Sequence, residues 1–278
     1  MTSEHVSPEH PARLDVGVIG TGRVGAALAV ALIRAGHRVV GASAVSQASR
    51  QRIERFLPGV AVLQPEDVLE AASLVLLTVP DDVLPGLVNG LAVLDPAVQQ
   101  GALPLALHPV MTFTGRPDDV DKLAGICFGV TAPDVLRPAA EVLVMEMGGE
   151  PVFIAEADRA LYHAALAGAA NHLVTQVVQA QDLLARAGVA QPARMLAPLL
   201  SAALDNALRL GDAALTGPVA RGDAETLAGH LQALRADAPE ALPAYLALAR
   251  LTASRALASG MLAAPEARRL LDVLAEVP

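Results

Sequence analysis

Up to about residue 155, short apolar runs alternate with stretches whose apolar residues recur at helical spacing. Residues 16–19, 38–42, 74–79, 103–107 and 126–130 read as strands. Residues 60–63 read as one more short strand, and 151–154 as the strand that closes the sheet. Helices are expected at 26–34, 47–56 and 83–91. Strands apolar on both faces, separated by helices, predict a mostly parallel, doubly wound sheet covered on each side. After residue 155 the strand pattern stops. Residues 157–187 form one long Ala/Leu pattern ending at Gly188, a residue suited to the left-handed position that terminates a helix. Further helical patterns follow at 192–210, 224–235, 242–259 and 264–277, with Pro218 and Pro239 breaking the chain between them. The pattern therefore predicts a disordered tail at 1–12, an α/β domain at 13–155 and an all-α domain at 156–278.

Composition narrows what such a chain can do. Of 278 residues, 53% are hydrophobic, 18% charged and only 2% aromatic, and the net charge is −9. The apolar content excludes a disordered chain. An acidic balance argues against duplex DNA or RNA, whose phosphates call for a basic face, and scarce aromatics remove base-stacking surfaces. Cys127 is the only cysteine, so neither a disulfide framework nor a cysteine-based metal site is expected. No window reaches the ~18 uninterrupted apolar residues of a membrane span. The acidic, proline-containing start is not a secretion signal, and a soluble cytoplasmic protein is expected. Alanine lets helices approach closely, which explains how a helical half packs with so few rings.

The run Gly20-Thr21-Gly22-Arg23-Val24-Gly25 carries the most chemistry. A lone G-x-G-x-x-G is a weak motif. Here a strand precedes it, an Ala/Leu helix follows, and Gly36-His37 leads into a second strand. Gly20 permits the tight turn, Gly22 lets backbone reach a pyrophosphate, and Gly25 lets helix and strand pack closely. An NAD-preferring site carries an acid about 20 residues on, to hold the ribose 2′-hydroxyl. This chain has Ser43, Ser46, Arg50 and Arg52 there and no carboxylate. Hydroxyls and guanidiniums suit a 2′-phosphate, so NADP is expected over NAD. The alternative places both arginines on a solvated helix face. Val79 and Pro80, ending the third strand, are expected to run beside the nicotinamide ribose, while Asp82 reads equally well as a helix cap.

With these residues placed, the sequence resembles NADP-dependent oxidoreductases of the ketopantoate reductase and pyrroline-5-carboxylate reductase type. More closely, it resembles proteins that join a Rossmann-like domain to a DUF2520 domain. The stretches that carry the closer resemblance are His108-Pro-Val-Met-Thr-Phe113, Tyr162-His163 with Asn171-His172, and Leu215-Thr-Gly-Pro-Val-Ala-Arg-Gly-Asp223. The resemblance implies a Rossmann domain followed by helices like the 6-phosphogluconate dehydrogenase C-terminal fold. It also implies NADPH-linked reduction of a small keto- or imino-acid-like metabolite bound between the two domains. Ketopantoate reductase-like enzymes draw their proton from a lysine of the helical domain. The only lysine here is Lys122, in the first half, so that part does not carry over.

Candidate chemistry is spread over both halves. In open α/β sheets the ligand lies beyond the carboxyl ends of the strands, where His108 and Thr112 fall. His108 suits proton transfer or binding a substrate carboxylate, and a structural histidine is the alternative. On a helical projection at ~100° per residue, Gly168, Thr175 and Asp182 lie within about 60° of Asn171, forming a small, polar stripe on an apolar helix. His172 points elsewhere, and Tyr162 reads as packing. Asn171, His172 and His108 are the catalytic candidates, and Thr112, His163, Gly168, Thr175 and Arg221 the candidates for substrate. The alternative for Asn171 is a buried amide bonded to another helix. Asp223 reads as a helix cap and Arg221 as a possible carboxylate clamp, or a surface arginine. No metal site is expected. The competing function is a catalytically silent NADP-binding sensor or scaffold, and a flavin- or deazaflavin-linked reductase is a third. The apolar helical half is expected to form a homodimer.

Overall fold

The structure, a computed structural model, describes residues 13–80, 83 and 104–275. Within these the chain forms two compact units, 1–166 and 167–278. The expected tail at 1–12 and the helix expected at 83–91 lie outside the described residues, apart from Val83.

In the first unit, β1 (Asp15–Ile19) lies between β2 (Arg38–Ser43) and β3 (Leu74–Leu77), parallel to both. Helix α1 (Arg23–Arg34) follows β1, and α2 (Gln47–Phe56) and α3 (Pro65–Ala71) lie between β2 and β3. The strand expected at 60–63 is reduced to a single bridge, Ala42 to Val62. A second ladder contains β4 (Ala106–Pro109), β5 (Cys127–Thr131) and β6 (Glu150–Phe153), with the short helix α4 (Asp118–Asp121) after β4 and α5 (Arg137–Glu146) before β6. β5 and β6 run parallel, but β4 runs antiparallel to β5.

One core joins the two ladders. Leu28 and Leu32 of α1 pack with Val16 of β1, with Phe128 and Val130 of β5, and with Val144 of α5. The opposite side of α1 contributes Ala29 to a second cluster with Val18, Ile53 and Leu57. Strands flanked by helix on both sides carry apolar residues on both faces, which is why 16–19 reads as a continuous apolar run. His37, nearly fully buried, ties the sheet to α5. Its Nδ1 accepts the Leu14 N–H at 3.2 Å, which leaves Nε2 to donate to Glu146 Oε2 at 2.8 Å.

Beyond β6, helix α6 (Arg159–Ala167) passes into a π-turn (Gly168–His172) and then α7 (Leu173–Arg186). The uniform helix expected over 157–187 is thus interrupted. A π-turn holds an extra residue, so residues on its two sides do not keep the angular relation of an ideal helix. In the second unit α8 (Pro192–Leu210), α9 (Ala224–Asp237), α10 (Leu242–Ala258) and α11 (Ala264–Ala275) follow. The unit's core is built by α9, α10 and α11, through Leu227, Leu231, Ala253, Leu270 and Leu274. Among the described residues no helix is long and apolar enough to cross a membrane.

Candidate functional site

The glycine loop has the geometry its sequence demands. Gly20 adopts φ 89°, a left-handed conformation that side chains disfavour. A Cβ there would also lie 2.7 Å from Val79 Cγ1 and 2.8 Å from the Thr78 carbonyl. A Cβ on Gly25 would fall on the Thr78 hydroxyl, which donates to the Gly20 carbonyl at 2.6 Å. Gly22 is different. Its Cβ would meet only the Gly20 carbonyl, at 3.9 Å, so the space above it is open. Gly22 caps α1 without a side-chain acceptor, leaving the first-turn N–H groups of α1 to an outside partner. Open space beside uncapped donors at a helix start fits an anionic pyrophosphate.

The end of β2 braces this loop. Ser43 Oγ accepts the Gly20 N–H at 3.2 Å, and its carbonyl accepts both the N–H (3.2 Å) and the hydroxyl (2.9 Å) of Thr21. Thr21 and Ser43 are both buried. Ser46 caps α2, accepting the Ser49 N–H at 3.1 Å. Arg50 is exposed, whereas Arg52, two positions on and so turned to a different face, is half-buried. Arg52, Arg23 and Arg116 line a small notch with Gly115 and Phe56. Past the end of β3, Val79 lies against Gly20 and Pro80 follows it, while Asp82 lies outside the described residues.

A second group gathers on β4. His108 stands opposite Gly129 in the β4–β5 register. Gly129 has no side chain, and the Tyr162 ring of α6 occupies that space. The Tyr162 hydroxyl then meets His108 Nδ1 at 2.9 Å. Burial, with a smaller contribution from Cys127, pushes the Tyr162 phenol above its ordinary range, so it keeps its proton at neutral pH. The His163 ring lies edge-on to His108, with centroids 6.1 Å apart. Thr112 is exposed on the loop after β4. Tyr162, expected only to pack, is a polar partner of His108. No periodicity in the sequence points to that pairing, because it depends on strand register.

In the second unit, Gly168, Asn171 and His172 all belong to the π-turn, a feature enriched at functional sites. Asn171 is exposed, so it is not a buried amide bonded to another helix. The His172 ring lies over Gly168, with Nδ1 3.6 Å from where a Cβ would stand. Thr175 turns its hydroxyl to the Asn171 carbonyl at 3.0 Å. Thr175 and Asp182 line a groove of about 400 Å³ along α7, with the Arg186–Glu240 ion pair (2.5 Å) also in its wall. Arg221 donates to the Thr216 carbonyl within its own turn. Asp223 caps α9, accepting the Thr226 N–H at 3.0 Å and its hydroxyl at 2.7 Å.

Comparison with known proteins follows this division. Residues 1–94 match the model of the Rossmann-like domain, and 126–252 that of a domain of unknown function, DUF2520. No curated protein matches the sequence. Among solved structures, a presumed NADP oxidoreductase from Bacteroides fragilis is similar over 86% of this chain and 98% of its own, at 22% identity and TM-score 0.72. The 1-pyrroline-5-carboxylate reductase of Streptococcus pyogenes is similar over 95% of this chain and 99% of its own, at 15% identity and TM-score 0.57. An imine reductase variant from Myxococcus stipitatus, in complex with NAD+, is similar over 71% of this chain and 75% of its own, at 19% identity and TM-score 0.51. At these identities the likeness is one of fold.

Proposed function

Because this chain is a protein that joins a Rossmann-like domain to a DUF2520 domain, we propose that it is an NADP-dependent oxidoreductase acting on a small carbonyl or imine, of the keto- or imino-acid type. The observation that carries the reading is the glycine loop, with Gly20 at φ 89°, open space over Gly22 and uncapped donors opening α1. The absence of any carboxylate between Ser43 and Arg52 favours NADP over NAD. The pyrroline-5-carboxylate reductase and imine reductase among its structural neighbours support an imine or its carbonyl counterpart as substrate class.

When bound, the cofactor supplies hydride. The chain supplies the rest. The first-turn N–H groups of α1 hold the pyrophosphate, and Gly25 against Thr78 fixes the angle at which α1 presents them. Thr21 and Ser43 brace the loop so that it need not reorganise on binding. His108, whose ring meets the Tyr162 hydroxyl, is the group proposed to exchange a proton with the substrate. From the helical unit, Asn171 and His172 offer exposed hydrogen-bonding groups on a π-turn. Thr112, His163 and the remaining donors of Arg221 are the candidates to hold the substrate carboxylate.

The test is NADPH oxidation across a panel of small keto acids and cyclic imines, run beside direct cofactor binding. Turnover is expected in the wild type. Gly25→Ala is expected to lose cofactor binding, with a stability cost of roughly 1–3 kcal/mol for forcing a methyl into a filled site. Cofactor binding without turnover on any substrate would overturn the enzyme reading in favour of a sensor or scaffold.

A further inference from the structure

Tyr162 reaches His108 over the gap left by Gly129, and all three residues lie in the first unit. The direction of the bond between them decides what His108 can do. A phenol hydroxyl can give or accept, whereas an imidazole Nδ1 gives only when it carries the ring's hydrogen. The Tyr162 phenol keeps its hydrogen at neutral pH, and burial desolvates it. A hydrogen left there without an acceptor costs free energy. Nδ1 of His108, 2.9 Å away, is the acceptor within reach among the described residues. The other hydrogen-bonding group that bears on the phenol oxygen is the Gly129 backbone N–H, which can only donate. With the ring's hydrogen on Nδ1, the phenol would face donors alone and its own hydrogen would be stranded. The phenol therefore donates to Nδ1, and the hydrogen of the neutral ring sits on Nε2.

That tautomer has a chemical consequence. A histidine with a carboxylate at Nδ1 is readied to take a proton at Nε2, because the carboxylate stabilises the imidazolium that forms. A donor at Nδ1 favours the neutral ring instead and leaves Nε2 as the giving side.

We infer that Tyr162 is a positioning residue that fixes His108 as a donor through Nε2, so that the pair serves a substrate whose reacting atom must gain a proton. Such a substrate is a keto acid or a neutral imine, not an iminium that is already charged. The reaction itself rests on the oxidoreductase reading above, while the bond direction does not. As nicotinamide hydride reaches the carbonyl carbon, the π pair moves onto oxygen, and that oxygen takes the Nε2 proton. Nδ1 takes the phenol proton in the same passage, the ring stays neutral, and the phenolate regains a proton from water. The proton moves downhill, because an alkoxide is a far stronger base than a phenolate. A charged iminium needs hydride alone and gains nothing from this relay.

The experiment uses the full chain at neutral pH. Nitrogen–proton correlation spectra of the histidine rings read the tautomer, with the His108 signal identified by its loss in His108→Gln. The wild type is expected to carry hydrogen on Nε2, and Tyr162→Phe to show both tautomers. In parallel, kcat and KM with NADPH are measured on a keto acid and on an N-methyl cyclic iminium, whose charge is permanent. Tyr162→Phe is expected to lower kcat on the keto acid roughly a hundredfold with KM within about twofold, and to leave the iminium rate within about twofold. A hydroxyl that only supported the fold would lower both rates alike. A wild-type ring with hydrogen on Nδ1, equal losses on the two substrates, or a wild type that reduces the iminium and no keto acid or neutral imine overturns the inference. If no substrate turns over, the oxidoreductase reading fails, and the tautomer alone then decides whether Tyr162 directs the His108 ring.

Discussion

At the scale of single residues, the His108–Tyr162 pair rests on an absence. Gly129 leaves room in the β4–β5 ladder, and the phenol fills it. Gly129→Ala is therefore expected to push Tyr162 away from β5 and break its bond to His108, and Tyr162→Phe to remove only the hydrogen bond. Burial raises the phenol above its usual 10.0. A neutral acid with a raised folded pKa stabilises below the unfolded value and loses that contribution as pH climbs past it. Alkaline unfolding should thus begin to weaken the wild type above about pH 10, and Tyr162→Phe should flatten that part of the curve. Tyr245, also raised by burial, keeps its own share in the variant. A Tyr162→Phe curve parallel to wild type across this range would count against the buried phenol. His108 was legible in the sequence as a histidine ending a strand. Its partner was not, because 54 residues separate them and only the ladder register brings them together.

Among the elements, those with long, regular patterns were readable and those that depend on neighbours were not. Pro192–Leu210 and Gln47–Phe56 form where the sequence predicts, each opened by a residue that favours a helix start, Pro192 or the Ser46 cap. Helices α3 and α5 are not legible in this way. α5 opens on Arg137-Pro138 and shows only Ala140, Leu143 and Val144 to the core, too short an apolar stripe to separate from a loop. The π-turn was hidden for another reason, since no residue type marks an extra residue inside an Ala-rich helix. In the Thr216–Asp223 turn, the Asp223 cap on α9 is legible in the sequence. Bonds from Thr226, first its hydroxyl and then its N–H, hold the Asp223 carboxyl below the usual 3.8. A depressed folded pKa stabilises above the unfolded value and is lost as pH falls through the folded one. Asp223→Ala should therefore lower the melting temperature at neutral pH and converge on wild type in strong acid. Asp223→Asn, which keeps an acceptor but no charge, should fall between them at neutral pH. A gap between Asp223→Ala and wild type that stays constant into strong acid would show that the charge contributes nothing.

At the scale of the whole molecule, the two textures of the sequence correspond to two ways of burying apolar surface. The first unit buries its residues between strands and helices, and the second builds its core from α9, α10 and α11. Helices α7 and α8 do neither. Over 14 and 19 residues, they bury a single side chain, Leu196. Leu199 is 63% exposed and Leu208 80%, on different faces of α8, and Val174 and Val178 are exposed on α7. Scattered apolar residues are ordinary on protein surfaces, but two adjacent helices with one buried residue between them are not. The 53% apolar content is thus only partly accounted for within one chain. We propose that α7 and α8 are covered by the same helices of a second copy. Self-association through such a surface makes stability depend on protein concentration, because the folded state gains a partner that the unfolded state lacks. Light scattering should give twice the chain's 28.5 kDa, and the melting temperature should rise on concentrating the protein. The double substitution Leu199→Glu and Leu208→Glu should give a monomer whose melting no longer depends on concentration. Because both positions lie outside the first unit, cofactor affinity should stay within about twofold of wild type. A wild type that scatters as a monomer at all concentrations would defeat this proposal, and α7 and α8 would then need another cover.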